Sequence, residues 1–282
     1  MSGASGGGRA LVLGGGGVTG VAWETGLLLG LAEAGLDLSM ADVFVGTSAG
    51  SVVAAQLMSG ASLATLYAAQ VAAVSGEIAA RMSAAALVQF MVAMAWPGDP
   101  QRARTRLGHA ALRVKTVSEA ERRAVIARRV PTTDWPQQRL LITAVNAETG
   151  AAVVFDRESG VSLVDAVAAS CAVPLVWPPV TINGQRYIDG GVRSVANVDL
   201  AKGCDRVVVL APTTAAVRRA DRPASQVAAL GAGVRSIIVS PDAASRAAIG
   251  SNVLDPAHRA LAAQAGRAQA AVVADRVREV WS

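Results

Sequence analysis

The sequence predicts an α/β fold built on a mainly parallel sheet, and three observations carry that prediction. Continuously apolar runs of strand length recur along the chain: RALVL, ADVFV, RLLITAV, RVVVLA and RSIIV. Segments with helical spacing separate most of them, as crossover connections between parallel strands require. The 282 residues are 52% hydrophobic but only 4% aromatic, so Ala, Val and Leu must build most of one large core. No internal repeat and no linker interrupts the pattern, so a single domain over residues 1–282 is expected.

The elements can be justified in order. MSGASGGGRA lacks the apolar stretch of a signal peptide, and residues 1–8 read as a flexible polar leader. RALVLGGGG is a short buried strand running into a glycine loop. VAWETGLLLGLAEAG has helical spacing, with Gly35 as its C-terminal cap. ADVFVG is a second strand and SAGSVVAAQLMSG a second, very apolar helix; helical patterns then continue to about residue 130. Strands resume with RLLITAVNA and AAVVFD. VSLVDAVAASCA is a helix stopped by Pro174, and VTINGQRYID is a hairpin turning at Asn183–Gly184. DRVVVLA and RSIIVS are further buried strands, and residues 256–280 form a closing helix. Cys171 and Cys204 lie in apolar surroundings and are expected to be buried free thiols.

Residues 101–130 differ in character. Nine cations (Arg102, Arg104, Arg106, Arg113, Lys115, Arg122, Arg123, Arg128, Arg129) face only Glu119 and Glu121, in a chain whose net charge is +5. Ser118 and Glu121 form the S-x-x-E capping box of a short helix. Two readings stand: ordinary solvated helix faces, or a basic surface at 102–129 that makes transient contact with anionic lipid. No aromatic interleaving or nucleic-acid motif accompanies the run, so no nucleic-acid partner is expected. The uncharged stretch Met82–Gly98, broken by Ser83, Gln89 and Pro97, is marginal for a membrane span and reads as a buried or interfacial helix. A soluble cytoplasmic protein, at most peripheral at a membrane, is expected.

Two motifs compete for the first fifty residues. Gly15, Gly17 and Gly20 satisfy G-x-G-x-x-G between a strand and a helix, as in a dinucleotide-binding oxidoreductase. That reading needs an acidic residue at the end of the second strand, where Gly46 and Thr47 stand instead. The other motif, Gly46-Thr47-Ser48-Ala49-Gly50, matches G-x-S-x-G. Such an elbow lifts a serine hydroxyl out of a strained turn, and the small residues two positions away on either side avoid collisions. A serine needs a base. His109 lies among arginines and His258 in LDPAHRAL, so neither is well placed. Asp189, in RYIDGGVRS, follows an apolar hairpin strand, and Gly190 and Gly191 allow a sharp turn and a close approach by another loop.

Together these motifs resemble the patatin-like phospholipases over nearly the whole chain. The family's glycine-rich loop is matched by Gly14 to Gly20, its elbow by Gly46 to Gly50, and its D-G-G or D-G-A motif by Asp189-Gly190-Gly191. AVAASCAVPLVWPPVTINGQRYIDGG is similar to the family's run from a helix through a proline-containing loop to the aspartate. The resemblance implies a three-layer α/β/α fold and a lipid acyl-ester hydrolase without cofactor or metal. It implies Ser48 as nucleophile, Asp189 as base, and the amides of Gly15, Gly16 and Gly17 as oxyanion hole, with Gly46, Gly50, Gly190 and Gly191 supporting them. The family often has Arg or Lys where this chain has Thr19, which removes a cation but not the backbone donors. The helices of about 62–130 are expected to cap an acyl pocket, lined by Leu87, Val88, Phe90, Met91, Val92, Met94 and Trp96, with Trp177 beside it. Their alternative role is plain core or an oligomer interface. A lipid-binding protein of weak catalysis remains the main rival reading, and the oxidoreductase a remote one.

Overall fold

The computed structural model describes residues 8–73, 77–130 and 132–282; leader positions 1–7 lie outside them. The chain runs β1 (Gly8–Leu13), α1 (Gly17–Glu33), β2 (Val43–Gly46), α2 (Ala49–Leu57), α3 (Leu63–Val71), α4 (Ala84–Ala95), α5 (Pro100–Ala111) and α6 (Glu119–Arg129). It continues with β3 (Arg139–Asn146), β4 (Ala152–Phe155), α7 (Leu163–Ser170), β5 (Val180–Ile182), β6 (Gln185–Asp189) and β7 (Cys204–Leu210). α8 (Pro223–Ala228), β8 (Arg235–Val239), α9 (Ala243–Ile249) and α10 (Arg259–Trp281) complete it.

The eight strands among the described residues share one sheet. The pairs β3–β2, β2–β1, β1–β7 and β7–β8 are parallel, and β3–β4, β3–β6 and β5–β6 antiparallel. The β5–β6 hairpin turns at Asn183 (φ 50°) and Gly184 (φ 75°), the left-handed pair that the Asn-Gly signal predicts. Helix α7 ends at Ser170, short of Pro174, and Gly35 adopts φ 80° just past α1. Cys171 and Cys204 are free and buried.

The register along β3 fixes the site. Ile142 pairs with Gly46 and Phe155, while Ala144 pairs with Val153 and Asp189. A strand residue has only two edges, so β4 occupies one edge of β3, and β2 and β6 share the other, end to end. The residue that follows β2 and the residue that ends β6 therefore meet beside Thr143.

Alternation along the strands sends Leu11, Leu13, Phe44, Ile142, Val208 and Leu210 to one face, against α1, α2, α7 and α10. Ala10, Val12, Val45, Val207 and Val209 face the other way, toward residues 196–201 and α8. On that second face α4 and α5 cover Val145 and Ile188. The helices of 62–130 are thus distributed: α3 lies on α1 and α10, α6 on α7, and α5 on the sheet, while α4 rests on α5.

Candidate active site

Ser48 occupies the turn between β2 and α2 at φ 52° and ψ −116°, a conformation costly for any residue with a side chain. Its surroundings hold it there. The Ser48 N–H donates to Ser170 Oγ at 2.9 Å, and the Ser48 carbonyl accepts from Ser51 Oγ at 2.6 Å and from Cys171 Sγ at 3.3 Å. Burial pushes the Cys171 thiol up to about 11, so it stays a protonated donor. The flanking glycines leave no alternative: a Cβ on Gly50 would lie 2.1 Å from the Leu13 carbonyl oxygen, and one on Gly46 would lie 2.7 Å from Ser51 Cα.

Asp189 ends β6, buried at 5% exposure. Its carboxylate accepts a hydrogen bond from Gly191 N–H at 2.7 Å and lies beside the Ser48 hydroxyl, a second donor that draws its pKa down. Burial pushes its pKa up to about 6, against the opposing pull of those two donors and of the Arg122 guanidinium. Gly190 lets this end of β6 close on β3, since a Cβ there would sit 2.2 Å from Thr143 Oγ1. Thr143 donates to Thr47 Oγ1 at 3.0 Å, and Asn197 Nδ2 donates to the same Thr47 oxygen at 3.0 Å and to the Ser194 carbonyl at 2.8 Å. One buried polar cluster thus joins the serine turn, β3 and the segment after Asp189.

The glycine loop lies against the serine: a Cβ on Gly15 would meet Ser48 Cβ at 3.6 Å. The Gly15 N–H, however, already donates to the Val195 carbonyl at 2.7 Å. Gly14 N–H is likewise engaged, by Leu210 O at 2.9 Å and Glu24 Oε1 at 3.0 Å. The amides of Gly16 and Gly17 make no hydrogen bond among the described residues, so the loop's open donors are these two and not Gly15. Thr19, where a cation was the alternative, is fully buried and bonds the Val253 carbonyl through both its N–H and its hydroxyl, at 3.2 Å each.

A cavity of about 460 Å³ opens over Ser48 and Asp189, walled by the glycine loop, Leu87, Phe90, Pro174 and Leu254. Of the apolar side chains expected to line it, only Leu87 and Phe90 do. Phe90, Met91 and Met94 line an adjoining space of about 250 Å³, whereas Val88, Val92 and Trp96 face outward. Trp177 and Arg122 border a smaller recess that Ser48 also lines, with the guanidinium 4.0 Å from the ring centroid. His109 bonds the Glu148 carbonyl and His258 the Ala248 carbonyl, and neither lines these cavities.

Sequence reasoning did not single out Ser170, Thr143, Asn197, Glu24 or the particular role of Arg122. Nothing in the local pattern marks them, because each acts through a partner remote in sequence. Glu24 is the most unusual: it is fully buried beneath the glycine loop, and burial holds its carboxyl well above the usual range.

Comparison with known proteins agrees with this architecture. A family profile described as patatin-like phospholipase matches residues 11–202. Among solved structures the chain is similar to VipD from Legionella pneumophila, with 13% identity and a TM-score of 0.50, over 96% of this chain and 67% of that one. It is also similar to the type III effector protein ExoU, with 15% identity and a TM-score of 0.40, over 96% of this chain and 53% of that one. At such identity the likeness to VipD speaks for the fold alone. Among curated proteins none matches significantly.

Proposed function

Because the chain belongs to the patatin-like phospholipase family, we propose that it hydrolyses lipid acyl esters with Ser48 as nucleophile and Asp189 as its only base. The observation that carries this reading is a strained turn that sets the Ser48 hydroxyl in one cavity with a buried carboxylate, whose pKa burial pushes up to about 6. A carboxylate at its ordinary pKa is a weak base for an alcohol; one raised toward neutrality is stronger yet still ionised at pH 7.

Asp189 accepts the hydroxyl proton as Ser48 Oγ attacks the ester carbonyl carbon. The carbonyl π electrons move to oxygen, and the oxyanion takes hydrogen bonds from Gly16 and Gly17, each such donor worth ~3 kcal/mol. Collapse breaks the bond to the alcohol, which leaves with the proton held by Asp189, and the acyl group stays on Ser48. Water then gives its proton to Asp189 and attacks the acyl carbonyl; the fatty acid departs and the proton returns to Ser48. The strained turn keeps Oγ at the mouth of the cavity throughout, and the apolar wall at Leu87 and Phe90 suits an alkyl chain.

The test is hydrolysis of p-nitrophenyl esters from acetyl to palmitoyl by wild type, Ser48→Ala and Asp189→Asn. Activity in wild type that falls at least 10⁴-fold in both variants is expected. Appreciable turnover in either folded variant would sink the dyad. A folded wild type inactive on every ester would instead leave a lipid-binding protein.

A further inference from the structure

Half of the large hydrophobic side chains left exposed among the described residues fall in α4 and its C-terminal cap. Leu87, Val88, Met91, Val92 and Trp96 are 52, 62, 45, 55 and 54% exposed. The spacing of the four helical ones places them along one stripe of α4. The opposite side, with Ala86, Phe90, Ala93 and Met94, packs toward α5. The helix, AAALVQFMVAMA, carries no charge at all. A face of this kind calls for an occupant.

The surroundings say which. Guanidinium groups stand at both ends of the stripe: Arg81 borders the Ser48 cavity beside Leu87, Arg106 sits 5.3 Å from the Trp96 ring centroid, and Arg218 donates to the Trp96 and Gly98 carbonyls at 3.2 and 3.3 Å. Of the carboxylates near the same end, Asp99 caps α5, and Asp221 lies within the field of Arg104, Arg193 and Arg218. An uncharged stripe flanked by outnumbering cations complements a layer that is apolar inside and anionic at its rim. A protein groove would more often meet such a stripe with a mixed polar border. The stripe also ends at the catalytic cavity, which Leu87 and Phe90 wall.

We propose that α4 docks this protein on anionic lipid bilayers, its exposed side chains entering the acyl boundary while Arg81, Arg106 and Arg218 meet headgroup phosphates. The docked cavity mouth opens at the depth of a lipid's ester carbonyls. The inference rests on the hydrolase reading for its purpose, but its binding step can be measured separately. It also shifts the lipid contact from the basic run of 102–129 as a whole to one apolar helix with three arginines around it.

The experiment compares wild type with Val88→Asp/Val92→Asp, two positions outside both cavities. It uses sedimentation with phosphatidylcholine vesicles, with and without phosphatidylserine, and hydrolysis of vesicle lipid and of p-nitrophenyl butyrate. Wild type should bind the anionic vesicles, and the variant at least tenfold less, with vesicle hydrolysis falling in parallel and butyrate hydrolysis unchanged. Should the variant lose butyrate activity too, brominated-lipid quenching of wild-type emission decides: quenching that Trp96→Phe removes upholds the docking, and its absence overturns it. Equal vesicle binding by variant and wild type overturns it as well. So does a wild type that ignores vesicles but self-associates through a contact the variant abolishes. Vesicle binding without any ester hydrolysis would refute the hydrolase reading and leave the docking intact.

Discussion

In the proposed dyad Asp189 sets function against stability. Its pKa, pushed up to about 6 by burial, exceeds the ~3.9 of an unfolded aspartate. The native state therefore holds more protons between those values, and stability is lost as pH rises from about 4 through 6. Asp189→Asn removes that charge with little change of shape. Calorimetry should find the variant inactive yet more stable than wild type by ~1–3 kcal/mol at pH 8, with the gain vanishing near pH 4. In wild type the same ionisation should appear as kcat/KM rising through pH 6 to a plateau. Arg122 works the other way, pulling the carboxylate pKa down, so Arg122→Met should move the acid limb of that profile to higher pH. Failure of the limb to move would remove Arg122 from the electrostatics of the site. At this scale Ser48 and Asp189 could be singled out because glycines stand two positions either side of the one and directly after the other. Arg122 was not, since nothing in a run of arginines tells the buried one, stacked on Trp177, from those in solvent.

Among the elements, β3 and the two segments on its edge carry the geometry. Gly190 is required by closeness and not by dihedral angle. Gly190→Ala would drive a methyl group into Thr143 and part the cluster of Thr47, Thr143 and Asn197. A loss of about 10² in kcat is expected, with Ser48 still present to react slowly with a fluorophosphonate. A variant with wild-type kcat would show that the cluster does not position the dyad. Most elements could be read from hydrophobic period and turn chemistry, the Asn183–Gly184 hairpin most directly. What period leaves out is the partner. The spacing of α3 to α6 identifies a buried side for each helix but not which surface covers it, so a segment read as one cap is spread over both faces of the sheet. Likewise AAVVFD reads as a strand, but only pairing shows it on the far edge of β3, which leaves the near edge to β6.

Over the whole molecule, the basic run proves less uniform than its composition. Arg122 is buried, Arg129 pairs with Glu77, Arg123 pairs with Asp165, and Arg104 donates to the Gly150 carbonyl. Binding to anionic vesicles should therefore show a shallow salt dependence from a few arginines, weakening between about 50 and 500 mM salt while butyrate hydrolysis stays constant. A steep loss would return the contact to the full run. The α/β class and single sheet follow from the apolar strands, whereas the exposed stripe of α4 does not, because MVAMAW looks the same whether it meets protein, lipid or water. The end-to-end meeting of β2 and β6 has a kinetic consequence. Neither strand touches the other's partner residues on β3, so each can dock alone, and the hydroxyl and carboxylate become neighbours only after both have done so. These are non-local pairings of the slow kind. During refolding, helical signal should return before esterase activity, and the delay between them would time the closing of that edge.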